Sequence, residues 1–349
     1  MEGRGKGKPL TYAGAGVSID AGAEVVERIR AAVSSTIGKA GVLGGLGGFA
    51  GLFELPPMKE PVLVSATDGV GTKVLIAEAL GRYDTVGIDL VAMSVNDLLV
   101  TGASPLFFLD YLAVGRLDPE KAASLVEGVA AGCRRAGCAL LGGETAEMPD
   151  LYRGGHFDLA GFAVGVVEKE DIIDGSRVEA GDTVIGLPAS GIHSNGLSLV
   201  RKILEINRIG YGDVVEGANV EDSARSIGEI LLTPTEIYSG AVRALARAAD
   251  VRAMAHITGG GLPGNVPRVI PSGLCARIDR SRWQTPLLFD TLQRLGNVGR
   301  EEMFRTFNMG IGFVAVVAAA SGKAALEAVP GALAIGGIVN GKDKVELIG

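Results

Sequence analysis

The sequence Pro61-Val-Leu-Val-Ser65-Ala-Thr-Asp68-Gly-Val-Gly71-Thr-Lys73 decides the fold, because an apolar run passes directly into a polar, glycine-containing turn. The apolar run at 61–66 predicts a β-strand that ends in this turn. The carboxylate that follows is a candidate Mg²⁺ ligand, the glycines let the backbone approach phosphate closely, and the lysine supplies a point positive charge. The motif therefore predicts a phosphate-binding turn, with an ordinary Asp-Gly turn as the alternative.

Helices and strands alternate through the rest of the chain in two series, which a polar stretch at 167–182 separates. The first series continues with strands predicted at 106–114, 138–141 and 159–167 and with a helix at 118–137, which Asp118-Pro119-Glu120 begins. The second series holds strands predicted at 183–187, 253–257, 275–278, 311–317 and 333–339, and helices at 196–206 and 234–249, the latter capped by Thr233. We therefore predict an α+β fold of two mixed domains, residues 1–170 and 171–349, with a doubly wound sheet as the alternative.

Composition narrows the class of protein. The chain has 349 residues, of which 47% are hydrophobic and 21% charged, so it can bury the cores of two domains. Its net charge of −7 disfavours DNA or RNA as a partner, although local basic groups and backbone amides can still hold a small anion. The basic start at 1–8 precedes no apolar run, so we expect no signal peptide, and the longest apolar stretch, at 311–320, is too short to cross a bilayer. Three cysteines without a Cys-x-x-Cys pair fit a reducing compartment, so we expect a cytoplasmic protein without a membrane partner.

A second motif is Gly87-Ile-Asp89-Leu-Val-Ala-Met-Ser-Val-Asn96-Asp97, a stretch that predicts a mostly apolar helix. At about 3.6 residues per turn, its two carboxylates and its asparagine lie on one side of that helix. A carboxylate buried on an apolar helix is costly unless it is paired or bound to a metal ion. The motif therefore predicts functional carboxylates, and a solvated polar stripe on a surface helix is the alternative.

A third motif, Gly142-Gly143-Glu144-Thr145-Ala-Glu147, follows the strand predicted at 138–141. Glycines at a strand end followed by carboxylates suit a loop that binds a metal–nucleotide complex, and a glycine turn leading into a capped helix is the alternative. The first series thus carries carboxylates at three strand or helix ends. Because Mg²⁺ commonly binds one or two carboxylates together with phosphates, their convergence predicts a Mg²⁺–nucleotide site.

A fourth motif, Ser190-Gly-Ile-His193-Ser-Asn195-Gly, lies between a strand and a helix of the second series. His193 stands in a polar loop bounded by glycines, which predicts a general base or a phosphate ligand, with an exposed loop histidine as the alternative. His256 precedes Thr258-Gly-Gly-Gly, whose backbone amides are candidates for binding a phosphate.

These motifs, together with Pro105-Leu-Phe-Phe-Leu-Asp110-Tyr111, stand in an order that resembles the aminoimidazole ribonucleotide (AIR) synthetase, or phosphoribosylformylglycinamidine cyclo-ligase, family from about residue 12 to residue 339. The resemblance implies ATP-dependent ring closure of phosphoribosylformylglycinamidine to 5-aminoimidazole ribonucleotide in de novo purine (IMP) biosynthesis. It implies that the formyl amide oxygen is phosphorylated and that ADP and phosphate are released. It also implies a homodimer whose N-terminal sheets pair into a barrel, a C-terminal sheet flanked by helices, and ATP in a groove that involves both domains.

By position, the resemblance implies site residues in both domains. The catalytic residues would be Asp68, Lys73 and His193, and the Mg²⁺ ligands would be Asp68, Asp97 and Glu144. The ATP-binding residues would be Gly47, Gly48, Gly69, Gly71, Thr72, Asn96, Gly142, Gly143, Thr145 and Asn195, and the substrate phosphate would be bound by Thr258, Gly259 and Gly260. The implied cofactors are ATP and Mg²⁺, with K⁺ as a further candidate.

Two other classes of protein stay open. One is a sister enzyme of the same superfamily, such as selenophosphate synthetase or thiamine-monophosphate kinase. The lack of a cysteine before Cys133 disfavours the first of these, and the segment at 107–111 disfavours the second. The other class is a nucleotide-binding scaffold without activity, which the full set of acidic residues together with Lys73 and His193 disfavours.

Overall fold

The computed structural model of the protein describes residues 10–38, 41–218 and 225–349, so the basic start at 1–8 lies outside the described residues. The α-helices are Ile19–Ser34 (α1), Lys73–Leu80 (α2), Val86–Leu99 (α3), Pro119–Ala136 (α4), Leu197–Ile206 (α5), Ile227–Leu231 (α6), Ser239–Ala248 (α7), Gly261–Asn265 (α8), Leu287–Gly296 (α9), Arg300–Thr306 (α10) and Gly322–Ala328 (α11). The strands are Val42–Leu43 (β1), Leu52–Phe53 (β2), Pro61–Gly69 (β3), Ser104–Val114 (β4), Ala139–Glu147 (β5), Phe157–Glu168 (β6), Thr183–Pro188 (β7), Val251–His256 (β8), Leu274–Asp279 (β9), Ile311–Val317 (β10), Leu333–Asn340 (β11) and Val345–Ile348 (β12). Short 3₁₀ helices span Ala13–Ala15, Lys169–Asp171, Val266–Val269, Arg280–Arg282 and Ala319–Ser321.

Two sheets organise the chain. The N-terminal sheet has the strand order β3-β6-β4-β5, and the C-terminal sheet has the order β12-β9-β11-β7-β10-β8. Pairing is antiparallel except between β4 and β5 and between β9 and β12. The predicted mixed architecture of two domains is confirmed, and the antiparallel pairing excludes the doubly wound alternative for these sheets. The boundary predicted between residues 170 and 171 falls between β6 and β7 and stays a prediction.

Helix α3 occupies the centre of the molecule. Nearly all of its residues are buried, including the polar Asp89, Ser94 and Asn96. One side packs against β3 and β6, and the helix also contacts α4 of its own domain and α7 and β8 of the C-terminal domain. The polar side of α3 therefore lies where the two domains meet, which places the second sequence motif at the domain interface.

Capping residues and apolar runs in the sequence predicted the ends of α4 and β10 correctly. The Asp118 side chain accepts hydrogen bonds from the amides of Glu120 and Lys121, Pro119 occupies the first turn of α4, and Gly137 ends the helix with a φ of 79°. Strand β10 has the predicted bounds. Cys133 and Cys138 are both buried and neither forms a disulfide.

The helix predicted at 234–249 is wrong in its first turn, because α7 begins only at Ser239. The amide of Thr235 donates to Asp89 and the amide of Tyr238 donates to Asn96, at 2.7 Å and 3.0 Å. These backbone groups bind side chains of α3 in place of their own helix, so Thr233 does not cap it.

Two predicted strands are too short, and this moves site residues from loops into the N-terminal sheet. Strand β3 continues through Asp68 to Gly69, and β5 continues from Ala139 to Glu147. The third motif is therefore extended strand, neither a loop nor the start of a helix, because β4 offers it a continuous parallel partner. A side chain at position 143 would collide with Asp110, its partner on β4, which explains the glycine there.

The sequence analysis did not foresee α1, the β1–β2 hairpin that carries the glycines at 44–51, or β12. Across residues 10–38, 41–218 and 225–349, no helix combines the length and apolar character that crossing a membrane requires.

Candidate active site

A buried ion pair of the N-terminal domain lies at the interface and binds loops of the C-terminal domain. Lys73 Nζ, in the first turn of α2, lies 2.8 Å from Asp89 Oδ1 and donates to the carbonyl of Thr233 at 2.7 Å. Both charged side chains are fully buried. Burial lowers the pKa of Lys73, and the neighbouring Asp89 opposes that shift. The Lys73 ammonium is thus enclosed between the domains by protein groups, and its predicted contact with phosphate stays a prediction.

Asp89 binds two loops of the C-terminal domain. Its Oδ1 accepts from the amide and hydroxyl of Thr235, at 2.7 Å and 2.6 Å, and from the hydroxyl of Ser194 at 3.2 Å. Asn96, also fully buried, donates to the carbonyl of Glu236 at 2.8 Å and accepts from the amide of Tyr238 at 3.0 Å. The amide of Asn96 is therefore occupied by protein groups, and its predicted contact with ATP stays a prediction.

His193 lies between these loops. It is buried, and its backbone has a left-handed φ of 63°. Its Nε2 accepts from the amides of Ser190, at 3.2 Å, and Glu236, at 3.5 Å, so Nδ1 carries the hydrogen in the neutral ring. Burial, followed by the nearby His256 and Lys73, holds the pKa of His193 well below its usual 6.5.

The buried position of His193 changes its predicted role. The exposed-loop alternative is wrong, and Nε2 is not free to act as a general base. Nδ1 is buried and has no hydrogen-bond partner within the described residues. An unsatisfied buried donor is costly, so His193 is suited to donate a hydrogen bond to a ligand oxygen.

Asp97, Asp68 and His256 form a second polar group at the surface end of the domain interface. His256 Nδ1 lies 2.9 Å from Asp97 Oδ1, and its Nε2 lies 3.4 Å from the side-chain nitrogen of Asn96. Burial is the main cause that raises the pKa of Asp68, and the charge of Asp97 raises it further, against a lowering by the Gly69 amide. A carboxylate whose pKa is raised in part by the charge of a second carboxylate favours a bound cation.

Asp97 and His256 of this group line a cleft between the domains, which we call the interdomain cleft. It has a volume of about 380 Å³, within the roughly 300–1,000 Å³ of small-molecule sites. Its wall combines β3 and the end of α3 with β8 and the 3₁₀ helix Val266–Val269; its polar lining residues are Ser65, Asp97, Thr101, His256, Asn265 and Arg268.

Further predicted residues lie around this interface. Thr72 Oγ1 is 3.3 Å from Ser198 Oγ across the domains. Asn195 approaches Gly259, where an added Cβ would lie 3.5 Å from its Oδ1, and its side-chain nitrogen is buried without a hydrogen-bond partner in the described part of the chain. The loop at 258–260 therefore comes next to the fourth motif, as the two phosphate predictions require.

A second group of predicted residues lies elsewhere, around what we call the N-terminal cavity. This cavity of about 320 Å³ lies between α1, α4 and β5, and Gly142, Gly143 and Thr145 line it. Leu46 of the glycine-rich hairpin reaches it, whereas Gly47 and Gly48 do not.

The N-terminal cavity also contains a residue to which the sequence analysis gave no role. Asp110 of β4 lines it, and burial raises the pKa of this carboxyl to about 7. The signal was present in the sequence, because a lone carboxylate in the apolar run at 106–114 requires a partner or a ligand.

The predicted Mg²⁺ ligands do not come together within one chain. Glu144 lies on the edge strand β5, three strands from Asp68 on β3, which is about 14 Å at the usual strand spacing. No cluster of three or more His, Cys, Asp or Glu side chains in the ranges that the structure describes is arranged to hold a metal ion. Asp68 and Asp97 remain a pair near which a phosphate-bound Mg²⁺ fits, since Mg²⁺ commonly uses one or two carboxylates with substrate phosphates.

Family models and solved structures define the class. The AIR synthase related protein models match residues 47–167 with the N-terminal domain and residues 179–348 with the C-terminal domain. Thiamine-monophosphate kinase from Stenotrophomonas maltophilia K279a has the same fold, with a TM-score of 0.66 at 20% identity, covering 93% of this chain and 95% of that chain. E. coli HypE has a TM-score of 0.63 at 18% identity, covering 93% of each chain. Fold and cleft thus define a two-domain protein of the AIR synthase related class.

Curated relatives narrow this class. Phosphoribosylformylglycinamidine cyclo-ligase from Carboxydothermus hydrogenoformans is 57% identical over 310 residues, covering 88% of this chain and 89% of the relative. The enzyme of the same name from Picosynechococcus sp. is 53% identical over 312 residues, covering 89% and 90%. The chain belongs to the phosphoribosylformylglycinamidine cyclo-ligase family, as its motifs indicated.

Proposed function

We propose that the protein is a ligase that closes the imidazole ring of 5-aminoimidazole ribonucleotide from phosphoribosylformylglycinamidine, consuming ATP in purine (IMP) biosynthesis. The observation that carries this proposal is the identity of 57% to a cyclo-ligase over 88% of the chain. The positions of the motifs support it, because most of the predicted second-domain residues and Asp68 lie along one domain interface.

The chemistry needs an activated oxygen, because an amide oxygen is a poor leaving group. The γ-phosphoryl group of ATP is transferred to the formyl amide oxygen, and ADP is released. The amidine nitrogen then attacks the formyl carbon, the ring closes, and the oxygen departs on inorganic phosphate. Because this attack is intramolecular, holding the substrate folded supplies much of the rate enhancement.

Residues along the domain interface suit these steps. Asp68 and Asp97 would hold the Mg²⁺ that neutralises the phosphates of ATP, while Gly69, Gly71 and Thr72 shape the backbone beside them. His193 Nδ1 would donate a hydrogen bond to the transferred phosphoryl group or to the oxygen that leaves with it. On the C-terminal side of the interface, Asn195 and the loop at 258–260 would contribute to phosphate binding.

A positioning role, without contact to the phosphates, is proposed for Lys73, Asp89 and Asn96. They bind the loops at 190–195 and 233–238 from the N-terminal domain and so fix the position of His193. We call these three residues and their partners the interdomain contact. The N-terminal cavity, with Gly142, Gly143 and Thr145, is the proposed site for another part of the nucleotide, next to the hairpin that carries Gly47 and Gly48.

A homodimer is part of the proposal. Leu63, Phe162 and Tyr111 of the N-terminal sheet are 58%, 41% and 40% exposed. Large apolar side chains exposed together on a sheet are typical of a protein–protein interface. Pairing of two such sheets into a barrel would cover them. Glu144 stays a proposed Mg²⁺ ligand only in such a dimer, given its distance from Asp68 within one chain.

The remaining proposals concern cofactors and location. We propose ATP and Mg²⁺, with K⁺ as a further candidate, and a cytoplasmic enzyme without nucleic-acid or membrane partners. The solved relatives in complex with ATP and with AMPPCP plus TMP support nucleotide use.

The test is ADP release by the purified protein with ATP and Mg²⁺, with and without phosphoribosylformylglycinamidine, while aminoimidazole ribonucleotide is followed colorimetrically. We expect ADP release that depends on the substrate and equals product formation one to one. ADP release without product, or product without ATP, would contradict the proposal.

A further inference from the structure

One wall of the interdomain cleft carries a positive charge without a negative partner. Arg268, in the 3₁₀ helix Val266–Val269, lines the cleft with Asp97 and His256, and it is the one arginine or lysine among the described residues that do so. Its guanidinium makes one long contact, from Nη1 to Asn265 Oδ1 at 3.5 Å. No carboxylate in the described ranges pairs with it. An arginine placed in this way is available to an anionic ligand.

Asn265 fixes the position of Arg268 relative to the phosphate loop. Its buried side-chain nitrogen approaches the carbonyl oxygens of Thr258, Gly259 and Gly261, at 3.3 Å, 3.2 Å and 2.9 Å. The same side chain contacts Arg268 through its oxygen. The loop at 258–261 and the guanidinium are thus tied to one buried residue, as a pre-organised binding site requires.

The charges of the cleft distinguish two kinds of phosphate. Asp97, which lines the N-terminal side, and Asp68, whose charge interacts with it, repel a bare phosphate and suit one that arrives with Mg²⁺, as the polyphosphate of ATP does. Arg268, on the C-terminal side, suits a phosphomonoester without a metal ion, because the planar guanidinium binds two phosphate oxygens at once. The cleft volume of about 380 Å³ admits a small phosphorylated sugar.

We propose that Arg268 binds the 5′-phosphate of the ribonucleotide substrate and sets the preference of the enzyme for phosphorylated over unphosphorylated substrate. This inference rests on the proposed cyclo-ligase function. It assigns a role to a side chain that the four sequence motifs did not include, and it leaves the polyphosphate of ATP to the carboxylates on the opposite wall.

The experiment compares phosphoribosylformylglycinamidine with its dephosphorylated nucleoside at saturating ATP. Arg268→Gln removes the charge, Arg268→Lys keeps the charge without the planar fork, and Arg294→Gln is the matched control, exposed at the end of α9 in the same domain. We expect Arg268→Gln to raise the KM for the phosphorylated substrate about 10- to 100-fold while the KM for the nucleoside and for ATP stays within about threefold of wild type. Arg268→Lys should be intermediate, and Arg294→Gln should match wild type.

Two outcomes overturn the inference. One is an unchanged preference for the phosphorylated substrate in Arg268→Gln, and the other is a rise in the KM for ATP in place of the substrate KM. Failure of the proposed function is separable, because it shows as absence of product from the wild-type enzyme. In that case calorimetric titration with ribose 5-phosphate tests the site alone. Binding that Arg268→Gln weakens at least about tenfold supports it, and equal binding by both proteins, or none by wild type, overturns it.

Discussion

Asp89 and Asp97 lie about two turns apart on the same helix, yet one carboxylate is fully buried and the other is 49% exposed. The Oδ1 of Asp89 accepts from Lys73, Thr235 and Ser194 together. Asp97 contacts His256 alone among the described residues and faces the interdomain cleft. One oxygen of Asp89 is held by donors from both domains, while its Oδ2 is buried and has no hydrogen-bond partner within the described residues. Asp89 therefore holds the two domains together, whereas Asp97, which has an open side, is available to a cation or substrate.

This comparison divides the predicted site residues into two groups. Lys73 and Asn96 belong with Asp89 to the interdomain contact. Asp68 belongs with Asp97, whose charge acts on it and which lines the cleft. Substitutions in the contact should change the free energy of unfolding first, and substitutions in the cleft should change turnover first.

Asp68→Asn should give the largest effect on activity. Removing the negative charge removes a Mg²⁺ ligand, so we expect turnover to fall at least about 1,000-fold. Stability at pH 7 should not fall, because the raised pKa of Asp68 means that its charged form is disfavoured in the folded protein. ADP release and urea unfolding at pH 7 measure the two quantities. Retained turnover would show that Asp68 is not a Mg²⁺ ligand. A loss of stability would show that Asp68 belongs to the interdomain contact.

Asp89→Asn should give the largest effect on stability. It leaves the buried ammonium of Lys73 without a counter-ion, and breaking such a pair costs about 3–5 kcal/mol. The double variant Asp89→Asn/Lys73→Met removes both charges and should be less destabilised than the single variant. Chemical unfolding of both variants and wild type provides the measurement. If the double variant were the less stable of the two, the ion pair would not be the cause.

A third carboxylate, Asp110 of the N-terminal cavity, should make the stability of the protein depend on pH. Its pKa rises from 3.8 to about 7 on folding, which corresponds to about 4 kcal/mol at 1.36 kcal/mol for each pKa unit. Between these values the folded state holds a proton that the unfolded state lacks, so the contribution stabilises at low pH and is lost as pH rises towards 7. Relative to Asp110→Asn, wild type should therefore lose stability from pH 4.5 to pH 7.5. If the unfolding free energies of wild type and Asp110→Asn differed by the same amount at every pH in that range, folding would not raise the pKa of Asp110.

Local signals in the sequence sufficed for the elements that local interactions determine. The cap at Asp118, the stop at Gly137 and the apolar strand β10 were all predicted, because each depends on residues within a few positions. The order of the motifs was also enough to indicate the family, because the chain is 57% identical to a cyclo-ligase and so keeps the motifs of that family.

Long-range contacts account for what the sequence analysis missed. Thr235 binds Asp89 across 146 positions, and this contact both delays the start of α7 and encloses the ion pair with Lys73. No local pattern distinguishes a lysine that faces a phosphate from one that binds a carbonyl 160 positions away. Similarly, the glycines of the third motif predicted a metal–nucleotide loop, whereas the group that approaches Gly143 closely is Asp110 on the neighbouring strand.

His193 lies between the two groups, and its substitution tests which of its nitrogens matters. Asparagine tolerates the left-handed backbone at φ 63° and places an amide donor near the position of Nδ1, whereas alanine removes the donor. If Nδ1–H stabilises the phosphoryl group, His193→Ala should lower kcat about 100-fold and His193→Asn about 10-fold, with the KM for ATP within about threefold of wild type in both. Because the pKa of His193 lies well below 6.5, both losses should be the same from pH 7 to pH 9. Equal losses in the two variants would instead assign the effect to Nε2 and its contacts with Ser190 and Glu236, and so to the interdomain contact.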